Sequence, residues 1–260
     1  MALILGTFCL AILAWWGSTG LIVLAVRLFE RRQGMVMVGA ALMAALGLAI
    51  LIGSANERTV VGAFAAFIGA LLIWAFFEVA FLLGWVTGPR KTALPANVTP
   101  RQRFRFAVET VIYHELSLVG TLVFLTIAMW GSVNHVGVMI FALLWVMRLA
   151  SKFILFLGAK HSLSDMIPPR LVYLQSYFRT DRTTILFPIV MLIGITNLVF
   201  LTRAALTSND PFFSVAHVLA ATFTLLALVE IMFLNLPVRD SALWAWAMPK
   251  LEALKSPSNR

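Results

Sequence analysis

The chain has 260 residues, 61% of them hydrophobic and 12% charged, with a mean hydropathy of +0.95, well outside the range of soluble globular domains. Twenty Lys and Arg against 11 Asp and Glu give a formal charge of +9, but membrane topology accounts for that excess, so no nucleic-acid partner is needed. Cys9 is the single cysteine, which excludes an intrachain disulfide and any CxxC metal or redox motif.

Apolar runs occur at about Leu3 to Val26, Met35 to Gly53, Thr59 to Val86, Phe106 to Trp130, Val136 to Leu157, Ile185 to Leu206 and Phe213 to Leu236. Each is long enough to provide the ~17–25 residues that a ~30 Å hydrocarbon core requires. The first has no basic n-region and no small-residue cleavage site, so it reads as an uncleaved helix and not a signal peptide. The third places Gly62 with Ala66 and Ala65 with Gly69 at four-residue spacing, a pattern for close helix packing. The fifth is interrupted by Arg148 and Lys152. The predicted fold class is all-α: a polytopic membrane bundle of about seven transmembrane helices, one domain over residues 1–250, with a cytoplasmic tail at 251–260.

Loop charge sets the expected orientation. Of the 20 basic residues, only Arg58 and Arg203 fall in the loops after spans two, four and six. The positive-inside rule therefore puts the N-terminus in the periplasm and the C-terminus in the cytoplasm.

The loop after span three carries Arg90 and Lys91 and leads to Thr99-Pro100-Arg101-Gln102. That tetrapeptide is a capping box with proline at the first helical position, so the fourth helix begins before the membrane does. Run to Trp130, it is about 31 residues or roughly 46 Å long, more than the core it crosses. Arg101, Arg103 and Arg105 crowd the positive end of its dipole and call for an anionic counterpart. Arg90, Lys91, Arg101, Arg103 and Arg105 are thus expected to contact anionic lipid headgroups or an acidic partner surface.

Between spans five and six, HSLSDMIPPRLVYLQSYFRTDR is too polar to span. After Pro168-Pro169, Leu171, Leu174 and Phe178 recur at helical spacing, which predicts a short interfacial helix on the cytoplasmic surface. Tyr173 and Tyr177 read as aromatic-belt residues.

Ionisable residues inside the spans mark the candidate site, because a carboxylate in hydrocarbon must face other helices, a partner or a cavity. Glu78 and His114 each lie eight residues from the cytoplasmic edge of their span, about 12 Å deep, and so at one level. Glu115 lies 100° further around the fourth helix, and Glu109 is closer to the interface. Arg148, Glu230, His161 and Asp165 fall on the same side.

Three readings of Glu78, His114, Glu115, His161, Asp165, Glu230 and Arg148 stay open. In a structural reading, Arg148 pairs with Glu78 or Glu230 and His114 bonds across helices. In a catalytic reading, Glu78, His114 and Glu115 are metal ligands, as in bundle-type di-metal centres. Against that, the ferritin-like Glu-x-x-His spacing and the histidine clusters of membrane oxygenases are absent. In a binding reading, the cluster lines a groove for an amphipathic ligand or a partner helix, where one imidazole would suffice to ligate the magnesium of a chlorophyll-type pigment.

The helix ending LLGWVTGPR, the helix carrying YHELS, and the later HSLSD and PPRLVYLQSYF segments resemble the PuhE-type family, photosynthetic complex assembly protein 2 of purple phototrophic bacteria. The resemblance covers essentially the whole chain. It implies a multi-pass protein of the cytoplasmic or intracytoplasmic membrane, encoded beside the reaction-centre H subunit. It further implies a role in assembling the reaction-centre and light-harvesting complex and in modulating bacteriochlorophyll supply. The implied partners are membrane lipids and reaction-centre or light-harvesting subunits or pigment-biosynthesis enzymes, and the implied ligand is bacteriochlorophyll or a precursor. The family supplies no catalytic residues to carry over. An assembly factor without bond-making chemistry is the first expectation; a membrane-embedded metal-dependent oxygenase of tetrapyrrole metabolism is the alternative. Proton-coupled transport ranks third, because no inverted repeat or pair of broken helices is visible.

Overall fold

The computed structural model describes residues 1–161, 167–237 and 240–247. Its α-helices are α1 (Ala2–Leu28), α2 (Gln33–Gly53), α3 (Val60–Leu82), α4 (Pro100–Ala128), α5 (Val136–Leu157), α6 (Leu186–Thr207) and α7 (Pro211–Phe233). All seven are long and apolar enough to cross a membrane, and no strand occurs among the described residues. The chain is therefore the all-α, multi-pass bundle that hydropathy predicts. Residues 251–260, expected as a tail, lie outside the described residues.

α7 forms the centre, packed by α1, α3, α5 and α6. Its run VAHVLAATFT is small or apolar apart from His217, and Val215, Leu219, Ala220, Phe223 and Thr224 are all buried, as a helix surrounded by other helices requires. α3 is the second core helix and carries α2 on its outer flank. Their approach is set by two glycines: a Cβ added at Gly69 would meet the Gly47 carbonyl, and one at Gly47 would meet that of Gly69. The small-residue spacing in α3 thus has a partner, and backbones that close gain dispersion contact where lipid gives no hydrophobic drive.

Loops after α1, α3, α5 and α7 gather at one end of the bundle, the basic end. Trp85 Nε1 donates to Gln33 Oε1, Arg170 Nη1 to the Leu83 carbonyl, and the His161 N–H to the Leu234 carbonyl. α4 starts at the expected capping box, with Thr99 Oγ1 accepting from the Gln102 N–H at 3.3 Å and Gln102 Oε1 accepting from the Thr99 N–H at 2.9 Å. The helix ends at Ala128, two residues short of its expected limit.

The segment after Pro168 forms a 3-10 helix, Pro169–Tyr177, that buries Leu171, Leu174 and Tyr177. Tyr177 differs from its expected belt role. It is fully buried, and its hydroxyl accepts from Arg90 Nε at 2.7 Å and donates to the Thr92 carbonyl at 2.9 Å. The reason is that the loop between α3 and α4 folds over the 3-10 helix instead of leaving it against headgroups.

A second feature has no counterpart in the hydropathy reading. Residues Asp240–Ala247 form a 3-10 segment, broken at Trp244, that packs along α1. Trp16 Nε1 donates to the Leu243 carbonyl at 2.9 Å, and Trp244 Nε1 donates to the Trp16 carbonyl at 3.0 Å. Trp246 fills the notch at Gly20, where any Cβ would collide with its ring. Trp16 is about 18 Å of helical rise from the basic end of α1, so this C-terminal strap reaches back to about the middle of that helix.

Candidate functional site

Arg148 stands at the junction of three helices. From α5 its Nη2 donates to Glu78 Oε2 on α3 at 3.1 Å, and its Nη1 donates to Glu230 Oε1 on α7 at 2.5 Å. One guanidinium thus answers two carboxylates through separate nitrogens, which its planar fork permits and a lysine would not. The Arg148 side chain is 39% exposed and that of Glu78 only 13%, so the group opens toward the flank of the bundle at Arg148.

One turn further along α5, Lys152 Nζ lies 2.5 Å from Glu115 Oε1 on α4, and Trp145 Nε1 donates to Glu115 Oε2 at 3.2 Å. The Lys152 ammonium also sits over the Phe81 ring at 5.5 Å, and the other neighbour of that ring is the His114 imidazole at 4.8 Å. His114 is 1% exposed. Its backbone N–H reaches the Thr87 carbonyl at 2.9 Å, while its Nδ1 has no hydrogen-bond partner among the described residues. Thr87 Oγ1 and the Tyr173 hydroxyl are likewise buried and unpartnered there. Burial holds the Tyr173 phenol above its usual range.

Of the residues singled out by sequence, Glu78, Arg148 and Glu230 come together, and Glu115 and His114 lie on the neighbouring face of α4. Glu78, His114 and Glu115 do not converge as ligands: among the described residues no group of three or more His, Cys, Asp or Glu side chains is placed to hold a metal ion. His161 is at the basic end, and Asp165 lies outside the described residues. Glu109 takes Arg105 at 2.9 Å and Arg90 at 3.8 Å.

The basic set divides. Arg90 is drawn inward, with its guanidinium 3.9 Å above the Phe106 ring and its Nε on Tyr177. Lys91 donates to the Gly84 carbonyl at 3.0 Å. Arg103 donates to the carbonyls of Tyr177 and Phe178. Arg101 and Arg105 face outward.

Lys152 is the residue that sequence reasoning undervalued. Its spacing of four from Arg148 within an apolar run puts two cations on one face of α5, a readable sign that this face meets acids from neighbouring helices. Nothing local marked Thr87, Phe81 or Tyr173, which join the site only through the fold of the loop between α3 and α4.

Fold and site together define a polytopic helix bundle cross-linked at one level by buried interhelical ion pairs. The chain belongs to the family described as "Protein of unknown function (DUF3623)", whose model matches residues 1–255. It is also 36% identical over 255 residues to the "Uncharacterized 30.4 kDa protein in puhA 5'region" of Rhodobacter capsulatus, covering 93% of this chain and 89% of that protein. No solved structure matches.

Proposed function

We propose that the protein is a PuhE-type assembly factor for the bacterial photosynthetic reaction-centre and light-harvesting complex. It works in the cytoplasmic or intracytoplasmic membrane with its basic end in the cytoplasm, and it affects the supply or delivery of bacteriochlorophyll. The observation that carries this reading is the fate of the buried ionisable residues. Glu78, Glu115 and Glu230 are bonded to Arg148 and Lys152, an arrangement that fixes helices and leaves the outward helix faces and the basic end as the surfaces that meet partners.

Two further points support it. The relative in Rhodobacter capsulatus is described by its position in the puhA 5' region, and the family resemblance implies a gene beside the reaction-centre H subunit.

The test is deletion of the gene in a phototrophic host, followed by membrane absorption spectra and pigment extraction. Complex yield falls and no single tetrapyrrole intermediate builds up, and Glu78→Gln and His114→Gln restore part of the yield. An unchanged yield overturns the reading. So does a defined accumulating intermediate, which would identify an enzyme instead.

A further inference from the structure

Arg103 lies on the inward flank of α4. Its Nη2 donates to the carbonyls of Tyr177 at 2.8 Å and Phe178 at 3.0 Å. Its Nε is buried with no hydrogen-bond partner, and among the described residues no carboxylate forms an ion pair with it. Buried polar atoms are nearly always satisfied, so an orphaned guanidinium N–H calls for an acceptor that the chain does not supply.

The neighbouring charges sharpen the point. Arg179 follows directly on the Phe178 carbonyl that Arg103 holds. Asp181 must serve both Arg179 and Arg182, each at 3.3 Å. Two guanidiniums therefore share one carboxylate, and Arg103, bonded to the carbonyl just before Arg179, pairs with none among the described residues.

These groups cannot drift apart. The Arg179 N–H donates to the Leu155 carbonyl at 3.0 Å, the Ala159 N–H to the Arg179 carbonyl at 2.8 Å, and the Thr184 N–H to the Gly158 carbonyl at 3.1 Å. Gly158 has a φ of +156°, and a Cβ there would press on the Arg182 carbonyl. The backbone at the end of α5 thus holds like charges near one another, and a further anion beside them would be favoured.

We propose that Arg103, Arg179 and Arg182 form a binding site for a phosphate-bearing anion at the basic end. Guanidinium forks match phosphate oxygens through paired charge-assisted hydrogen bonds. Nearby, the exposed Phe104 stacks on Phe153 at 6.3 Å and Phe156 meets Phe178 at 6.1 Å. That aromatic ledge joins α4, α5 and the arginine loop and suits the glycerol and upper acyl carbons of a phospholipid. The occupant is an anionic phospholipid held by its phosphate. The inference rests on this geometry and is independent of the assembly reading.

The experiment is native mass spectrometry of the full chain released from phosphatidylcholine vesicles that contain a minor fraction of phosphatidylglycerol. The wild type retains one phosphatidylglycerol. Arg179→Gln lowers the retained fraction about tenfold, the loss of one charge-assisted contact, and Arg101→Gln, on the outward face, leaves it unchanged. Arg103→Gln also breaks the bonds to Tyr177 and Phe178, so Arg179→Gln is the deciding variant. Protection of the wild type, but not Arg179→Gln, against thermal unfolding by inorganic phosphate, without lipid retention, keeps the site and assigns it to a soluble phosphate ester. Equal lipid retention by wild type and Arg179→Gln, or neither lipid retention nor phosphate protection, overturns the proposal.

Discussion

Lys152 Nζ and Glu115 Oε1 are 2.5 Å apart, and this bond ties α4 to α5 where the two helices otherwise meet through side chains alone. Lys152→Met leaves the Glu115 carboxylate buried with only the Trp145 indole as donor. The expected loss is about 3 kcal/mol, typical of one partner removed from a buried pair. Adding Glu115→Gln recovers most of it, so a double-mutant cycle read by thermal unfolding in mild detergent gives a coupling above about 1 kcal/mol. Additive single effects would show that the pair does not form.

The group around Arg148 has a different signature, because one cation serves two acids. Arg148→Met strands both carboxylates and is the most damaging of the three single changes, at about 3 kcal/mol or more. Glu78→Gln follows, since Glu78 is the more enclosed partner. Glu230→Gln, whose side chain is 26% exposed, loses about 1 kcal/mol or less. If Glu230→Gln proved worst, the pairing order would be wrong.

At the opposite end Asp210 caps α7, accepting from the Phe212 N–H at 2.9 Å and pairing with Arg58 at 2.7 Å. The Arg58 hydrogen bond and then the Phe212 N–H hold its carboxyl below the usual carboxylate range. A depressed folded value means the contribution is complete above the unfolded value of about 3.9 and is lost as pH falls through the folded one. The stability gap between wild type and Asp210→Asn is therefore level from about pH 7 to pH 5 and closes below about pH 4. A gap that widened on acidification would refute the assignment.

The strap along α1 predicts a labelling pattern that an extended tail could not give. Leu243 is 46% exposed in the bundle at the level of Trp16, where that exposed face is expected to meet hydrocarbon. In a Cys9→Ala background, Leu243→Cys resists a water-soluble maleimide in intact vesicles and reacts after detergent is added. Ready labelling in vesicles would place the segment in water.

Span number, the start of α4 and the level shared by Glu78 and His114 were legible in the chain. Each follows from a local rule: hydropathy over a membrane thickness, the Thr99–Gln102 box, and helical rise counted from the span edges. What was not legible depended on chain reversals. Tyr177 reads as a belt tyrosine until the loop carrying Arg90 and Thr92 closes over it. The LWAWA run reads as the end of a domain until it turns back to Gly20. The inward use of Arg90 and Arg103 was hidden for the same reason, since the Tyr177 hydroxyl that takes Arg90 and the carbonyls that take Arg103 arrive only with the folded loop.

The placement of both intramembrane cations on α5 bears on how the chain enters the bilayer. Alone, this span meets an insertion penalty of roughly 2.5–3.5 kcal/mol for Arg148 near its middle, and a smaller one for Lys152, which lies closer to the end of α5. Glu78 and Glu115 lie on spans made before it, and Glu230 on the last one made. The fifth span is therefore a dependent passenger: it can leave the translocon cheaply only when the third and fourth are already waiting beside it, and it then provides the counter-charge that admits the seventh. The ion pairs of this bundle would thus favour one order of insertion, and a change at Glu78 or Glu115 would be felt first as less efficient insertion of α5.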